Sequence, residues 1–165
     1  MNDIAKKAVE LLSEKGGTVA CAESCTGGLV AKLITDVPGS SEVFHLGAVT
    51  YSNDIKNKIL GVEEKTLEAF GAVSEQTAVE MAQNVRKLAG ADYGISTTGI
   101  SGPGGDGVCD EAGLSYIAVS AADKTVCKKL ETHCGNRDFN REHTAQSALS
   151  LLIEIKKQRK RPLSM

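Results

Sequence analysis

Residues 18–35 read TVACAESCTGGLVAKLIT, and this stretch decides the fold class. The apolar residues 18–22 predict a short strand, and the spacing over residues 29–35 predicts a helix. Between them, residues 23–28 form a polar segment that ends in two glycines. A strand that passes through a glycine-containing turn directly into a helix is typical of α/β proteins, in which helices cover the faces of a largely parallel sheet. We therefore expect an α/β fold.

The rest of the chain continues the alternation of strands and helices. Apolar spacing predicts strands over residues 44–51, 93–98, 114–121 and 124–131, and helices over residues 3–15, from 54 onward, from 75 to about 88, and from 137 to about 157. Only two residues separate the last two strands, which favours a hairpin. The element order predicts a single domain over residues 1–165, with a three-layer α/β/α architecture and a mixed sheet that includes an antiparallel hairpin.

Composition excludes several classes of function. The chain has 19 Lys and Arg against 21 Asp and Glu, a formal net charge of −2, and few aromatic residues, which disfavours binding to nucleic acid or to an anionic membrane. No apolar run is long enough to span a bilayer, and the first residues lack the apolar centre of a secretion signal, so we expect a cytoplasmic protein. The five cysteines and three histidines are scattered, which predicts neither a disulfide framework nor a metal site.

Three polar segments each follow a predicted strand: residues 23–28, 51–56 and 97–107. In open α/β sheets the ligand crevice lies outside the carboxyl ends of the strands. We therefore expect the three segments to converge on one site.

The first two segments carry groups that suit catalysis. Ser24, Cys25 and Thr26 lie where a helix begins, so the backbone N–H groups there either hold an anion or are simply capped by one of these side chains. Asn53 is predicted to cap the next short helix, which places Lys56 at about its third position. There the helix dipole and burial would both lower the pKa of the lysine and make it a base, although a solvated lysine is the plainer interpretation.

The third segment contains a misleading motif. Residues 102–107, GPGGDG, match the spacing G-x-G-x-x-G, but a strand follows where the dinucleotide-binding fingerprint requires a helix. No Gly-Lys-Ser/Thr follows either, which excludes a phosphate-binding P-loop. A lid over an anionic ligand and a long surface loop both remain.

Taken together, the motifs resemble the CinA C-terminal domain family. The similarity extends from about residue 18 to residue 105 in the family's order, and the last helix, with Arg137 and Arg141, fits more weakly. The matching blocks are AESCTGG (22–28), PGSS (38–41), VTYSN (49–53) with Lys56, GAVSE (71–75) and TGISGPGG (98–105).

The resemblance implies an activity: hydrolysis of nicotinamide mononucleotide to nicotinate mononucleotide and ammonia, a step in pyridine-nucleotide recycling, without a metal or a cofactor. Ser24 is the expected nucleophile and Lys56 the base, with Tyr51 and Thr98 orienting these groups or the carboxamide. Ser41 and Cys25 remain rival nucleophiles. Some members carry an additional N-terminal domain, for which 165 residues leave no room, so we expect the stand-alone form.

Substrate binding is expected from a wider set of residues. Backbone N–H groups near residues 26–28 or 40–41 would hold the oxyanion, and residues 99–105 or Arg141 would hold the phosphate. The expected substrate-binding residues are Glu23, Thr26, Gly27, Gly28, Ser40, Ser41, Gly99, Gly102 and Arg141.

The sequence departs from the family pattern over residues 110–115, DEAGLS, where members commonly have a Lys-Pro-Val-Gly-Thr-Val stretch. If the missing lysine binds phosphate, affinity for the mononucleotide is lower and the true substrate differs. The alternative function is therefore a non-catalytic nucleotide-binding or regulatory module. Apart from the small nucleotide, the expected partner is a second copy of the chain, because exposed apolar residues in the helices are compatible with a homodimer.

Overall fold

The computed structural model describes residues 2–104 and 112–159. The helices are α1 (Asp3–Lys15), α2 (Leu29–Thr35), α3 (Asn53–Lys58), α4 (Glu64–Phe70), α5 (Glu75–Ala89) and α6 (Arg137–Gln158), and one 3₁₀ turn spans Ser40–Glu42. The strands are β1 (Val19–Glu23), β2 (Phe44–Val49), β3 (Tyr93–Gly99), β4 (Leu114–Ser120) and β5 (Thr125–Glu131).

The strands form one mixed sheet in the order β2-β1-β3-β4-β5. Strand β1 pairs in parallel with both β2 and β3, whereas β3–β4 and β4–β5 are antiparallel. The predicted α/β fold with a mixed sheet and a hairpin is confirmed. The carboxyl ends of β1, β2 and β3 therefore lie at the same edge of the sheet.

The two faces of β1 separate two apolar layers, because successive side chains of a strand point to opposite faces. Val19 and Cys21 pack into the larger core with α1, α2 and α6. Ala20 and Ala22 face the other way and pack with residues of α5 such as Met81. The sheet is thus enclosed between helices on both faces, as the three-layer prediction requires.

Helix α5 lies against β3 at Gly94. A Cβ atom at this position would collide with the carbonyl oxygen of Ala82 and lie 2.7 Å from Cβ of Arg86. Only a glycine permits this approach, because neither the helix backbone nor the central strand has room to move.

Two local predictions differ from the structure. Helix α4 was not predicted, since it has only seven residues, lacks a side-chain cap, and buries only Thr66 fully. The cap of α3 is Ser52 rather than Asn53, and its hydroxyl accepts the N–H of Ile55. Lys56 is consequently the fourth residue of α3 and lies in its last turn.

Candidate active site

A cleft of about 450 Å³ opens where β1, β2 and β3 end, a volume within the usual range of small-molecule sites. Of the residues predicted for the site, it brings together Ser24, Cys25, Tyr51, Lys56, Thr98, Gly99 and Gly102. Its other described lining residues are Ala72, Val73, Ile100, Ser101, Gly104 and Arg137.

The centre of the cleft is a serine–lysine pair. Lys56 Nζ lies 3.0 Å from Ser24 Oγ and donates a second hydrogen bond, 2.9 Å long, to the carbonyl oxygen of Tyr51. Ser24 follows β1 and Lys56 belongs to α3, so the pair joins two elements that are 32 residues apart in the sequence. A hydroxyl in contact with an amine is the arrangement in which the amine can remove the hydroxyl proton.

Burial prepares the amine of Lys56 to act as a base. The side chain is fully buried, and within residues 2–104 and 112–159 no carboxylate forms an ion pair with it. Burial disfavours the charged form and lowers the pKa of Lys56 from 10.5 to about 8. The helix dipole is not the cause, in contrast to the sequence-based expectation, because Lys56 lies in the last turn of α3.

The turn after β1 holds Ser24 at the edge of the cleft. The N–H of Ser24 donates to the carbonyl of Thr97 at 3.0 Å, and the N–H of Gly27 donates back to the carbonyl of Ser24 at 3.0 Å. Gly27 and Gly28 have φ angles of 57° and 100°, a left-handed backbone that favours glycine. These two residues reverse the chain into α2.

Glu23 does not face the cleft. Its side chain is fully buried, and its carboxylate accepts hydrogen bonds from the hydroxyl of Thr26 at 2.6 Å and from the N–H groups of Val30 at 2.7 Å and Ala31 at 3.1 Å. The second and third N–H groups of α2 are therefore directed to Glu23, and the N–H of Gly27 is used within its own turn. This geometry differs from the expectation that Glu23 contacts substrate. It also removes Gly27 from the expected oxyanion donors, whereas the N–H groups of Thr26 and Gly28 remain a prediction.

Ser40 and Ser41 lie at the other end of the sheet. They precede β2, whereas the cleft lies beyond its carboxyl end, and a strand of six residues spans about 20 Å. Neither can reach Lys56 within this chain. The structure therefore contradicts the expectation that Ser41 is a rival nucleophile, and the expectation that Ser40 and Ser41 donate to the oxyanion. The sequence contained the signal, because this motif comes before a predicted strand rather than after one.

Cys25 lines the cleft but is a poor nucleophile there. Burial raises the pKa of its thiol from 9.0 to about 12, with a smaller contribution from Glu23 and against the opposing effects of a backbone hydrogen bond and of the charges of Lys56 and Arg141. A thiol with this pKa carries almost no thiolate at neutral pH, and the thiolate is the reactive form. Ser24 is the nucleophile that the geometry favours.

The hydroxyl groups of Tyr51 and Thr98 form hydrogen bonds with other parts of the protein and not with Ser24 or Lys56. Thr98 Oγ1 donates to the carbonyl of Ala72 at 2.7 Å and fixes the cleft wall before α5. Tyr51 holds Lys56 through its backbone carbonyl, which is free because β2 ends at Val49 rather than at residue 51, as was predicted. Its phenol oxygen accepts a hydrogen bond from Arg137 at 3.3 Å.

One protein family matches nearly the whole chain. Residues 1–156 match the CinA C-terminal domain. The chain belongs to this family.

The relatives of this chain carry names that refer to competence damage or to CinA itself. The chain is 54% identical over 144 residues to a protein of Caldanaerobacter subterraneus described as competence-damage inducible, and 49% identical over 142 residues to a CinA-like protein of Desulforapulum autotrophicum. These matches cover 87% and 86% of the chain but 35% and 34% of the relatives. The chain thus spans about a third of the length of the curated relatives it matches.

Solved structures of the CinA superfamily have the same fold. A Klebsiella pneumoniae member superimposes with a TM-score of 0.92 at 27% identity, covering 96% of this chain and all (100%) of that one. A competence/damage inducible protein of Agrobacterium tumefaciens gives a TM-score of 0.86 at 38% identity, covering 94% and 96% of the two chains.

Two arginines of α6 reach the site of this CinA C-terminal domain in different ways. Arg137, which was not among the predicted site residues, lines the cleft and donates to the carbonyl of Gly102 at 2.9 Å. Arg141 instead donates to the carbonyls of Cys25 at 3.2 Å and Thr26 at 2.9 Å. In this structure Arg141 thus braces the turn behind Ser24, and Arg137 is the guanidinium at the cleft. One turn of helix separates them, and sequence alone did not distinguish their roles.

Part of the predicted site lies outside the described residues. This applies to residues 105–107 of the glycine-rich segment and to residues 110 and 111 of the stretch that departs from the family pattern. Among residues 2–104 and 112–159, no group of three His, Cys, Asp or Glu side chains is placed to hold a metal ion. Over the same ranges, no helix combines the length and apolar character needed to cross a membrane.

Proposed function

We propose that the chain is an amidohydrolase that converts nicotinamide mononucleotide to nicotinate mononucleotide and ammonia by a Ser24–Lys56 mechanism that needs no metal, in pyridine-nucleotide recycling. The observation that carries the proposal is the 3.0 Å contact between Ser24 Oγ and the fully buried amine of Lys56. The choice of substrate follows what the sequence motifs' resemblance to the family implies. The relatives' names refer to competence damage or to CinA rather than to an enzymatic reaction.

The first half of the reaction transfers the acyl group to the enzyme. Neutral Lys56 takes the proton of Ser24 as Oγ attacks the carboxamide carbon, and the resulting tetrahedral intermediate expels the amine. Lys56 returns the proton to this leaving group, which departs as ammonia and leaves a nicotinoyl ester on Ser24. In the second half, water attacks the ester, Lys56 takes a proton from the water, and Ser24 Oγ leaves with that proton as the free acid is formed.

The charge of the substrate fits this site. The pyridinium ring is cationic, so a protonated lysine beside it would be repelled, whereas the neutral amine favoured by burial is not. Arg137 stands at the cleft with donors beyond its bond to Gly102, and a guanidinium is well suited to phosphate. We therefore assign the phosphate to the Arg137 side and the carboxamide to the Ser24 side. The apolar wall formed by Val73 and Ile100 is then available to the ring.

Ammonia release by the purified protein tests the proposal. Wild type should release ammonia from nicotinamide mononucleotide with EDTA present, and Ser24→Ala and Lys56→Ala should lose the activity while remaining folded. Lys58→Ala is the matched control, because Lys58 lies on the same helix but is exposed and pairs with Asp54 at 2.9 Å. Tight nucleotide binding by a folded wild type that releases no ammonia would contradict the proposal and favour the binding-module alternative.

A further inference from the structure

The mechanism leaves one buried charged group unused. Glu23 is adjacent to the nucleophile, its side chain is fully buried, and within the described ranges no cation forms an ion pair with it. A buried carboxylate without a cationic partner is costly unless hydrogen bonds compensate it. Here the compensation comes from Thr26, Val30 and Ala31 at the turn that presents Ser24.

The directions of these hydrogen bonds follow from the chemistry of the groups. An ionised carboxylate only accepts, so the single proton of the Thr26 hydroxyl is donated to Glu23. Thr26 Oγ1 also lies 2.7 Å from Thr97 Oγ1, and that contact then requires Thr97 to be the donor. The three residues form a directed chain, Thr97 to Thr26 to Glu23, which joins β3 to the turn after β1.

The same chain is connected to both members of the reacting pair. The carbonyl of Thr97 accepts the N–H of Ser24 at 3.0 Å. The carbonyl of Glu23 accepts the N–H of Thr50 at 2.9 Å, and the carbonyl of the following residue, Tyr51, holds Lys56. A change at Glu23 therefore reaches the nucleophile through one strand and the base through another.

We propose that Glu23 is a positioning residue: acting through Thr26 and Thr97, its carboxylate holds the turn that keeps Ser24 Oγ within hydrogen-bonding reach of Lys56. This inference deepens the proposed function and rests on it only for the choice of substrate. In Glu23→Gln, an NH₂ group replaces one acceptor oxygen and meets a donor in the turn. Because a displacement of about 1 Å at reacting atoms can cost about 100-fold in rate, we expect kcat to fall by roughly 10- to 100-fold.

The structure offers matched variants for the test. Glu80→Gln is the control, because the carboxylate of Glu80 also accepts a threonine hydroxyl and a backbone N–H at the start of a seven-residue helix, from Thr66 and Glu63 of the α4 region. Thr26→Val breaks the chain while leaving the carboxylate, and Thr26→Ser restores the hydroxyl. This second pair decides the question if Glu23→Gln does not fold.

Three quantities are measured for each variant, well below its unfolding temperature. They are kcat for ammonia release, the Kd for the product nicotinate mononucleotide, and the rate at which a small fluorophosphonate labels Ser24. In the labelling reaction the Oγ–P bond forms, the P–F bond breaks, the serine proton passes to Lys56, and fluoride leaves. Labelling does not depend on the assigned substrate, so it separates a failure of this inference from a failure of the proposed function.

We expect Glu23→Gln and Thr26→Val to lower both kcat and the labelling rate at least 10-fold, while the Kd for the product changes less than threefold. In Thr26→Ser and Glu80→Gln, kcat and the labelling rate should stay within threefold of wild type. Rates within threefold of wild type in Glu23→Gln and Thr26→Val overturn it, as does an equal loss of product affinity. A wild type that is labelled but releases no ammonia overturns the proposed function alone, and the labelling rates then decide the role of Glu23. A wild type that does neither overturns both.

Discussion

The pH dependence of the rate tests the burial of Lys56 directly. The base must be neutral to accept the serine proton, and kcat/KM reports the pKa of the free enzyme's groups. With the pKa lowered from 10.5 to about 8, about one tenth of the lysine is neutral at pH 7, and about nine tenths at pH 9. We therefore expect kcat/KM to rise about tenfold between pH 7 and pH 9 and to level off above that.

An unperturbed lysine would behave differently over the same interval. With a pKa of 10.5, the neutral fraction would rise about 100-fold from pH 7 to pH 9 and would keep rising beyond it. The lowered pKa makes the neutral amine about 300-fold more abundant at pH 7, which corresponds to about 3 kcal/mol. Burial of the amine thus supplies the unprotonated base that the reaction needs at neutral pH.

The assay is steady-state ammonia release at subsaturating substrate from pH 7 to pH 10, above the range in which the substrate phosphate titrates. Cys25→Ala is measured alongside, and it should keep the profile of wild type. A rate that still climbs tenfold per unit beyond pH 9.5 would refute the reasoning about burial. If Cys25→Ala lost the activity and the wild-type rate kept rising towards the thiol pKa of about 12, Cys25 would instead be the nucleophile.

Three further predictions follow from single contacts. The free energy of unfolding of wild type, relative to that of Lys56→Met, should increase by about 2–3 kcal/mol from pH 7 to pH 10. The reason is that between pH 8 and pH 10.5 the lysine binds a proton in the unfolded chain but not in the folded one. Urea unfolding of both proteins at the two pH values measures this difference. Gly94→Ala should destabilise the fold by about 3 kcal/mol or more, because its Cβ would meet the carbonyl of Ala82, and thermal unfolding checks this; a loss below about 1 kcal/mol would contradict the packing argument. Arg137→Lys should raise KM about tenfold with kcat within threefold of wild type, because lysine keeps the charge but loses the bidentate geometry of the guanidinium. An unchanged KM would show that Arg137 does not bind the phosphate.

The sequence predicted the elements well where a glycine marked one end of the apolar spacing, as Gly28 does before α2 and Gly16 after α1. The bounds of α2 agree with residues 29–35, and α1 ends before Gly16, as expected. Helix α4 was missed because its start is held from a distance, by Glu80 of α5, rather than by a cap of its own. Tertiary contacts of this kind leave no local pattern in a short segment.

The site was only partly predictable for the same reason. The resemblance to the family was enough to nominate Ser24 and Lys56, but not to show that Tyr51 acts through its backbone carbonyl. Arg141 was expected at a phosphate because guanidinium groups suit phosphate, yet its hydrogen bonds go to carbonyls of the turn. The type of a residue indicates which groups its side chain can bind. Which group it does bind depends on the segment that the fold places next to it.

Two buried ionisable residues, Lys56 and Glu23, flank Ser24 but do not pair with each other. Their separation accounts for the roles that we propose for each of them. If the carboxylate paired with the amine, the attraction would hold the lysine protonated and unable to act as a base. The turn directs Glu23 instead to Thr26 and to the second and third N–H groups of α2, which stabilise its charge without a cation. Lys56 is left with a hydroxyl and a carbonyl, neither of which compensates a full positive charge. The start of α2 therefore has an indirect role at the site: by satisfying the carboxylate, it leaves the lysine free to be neutral.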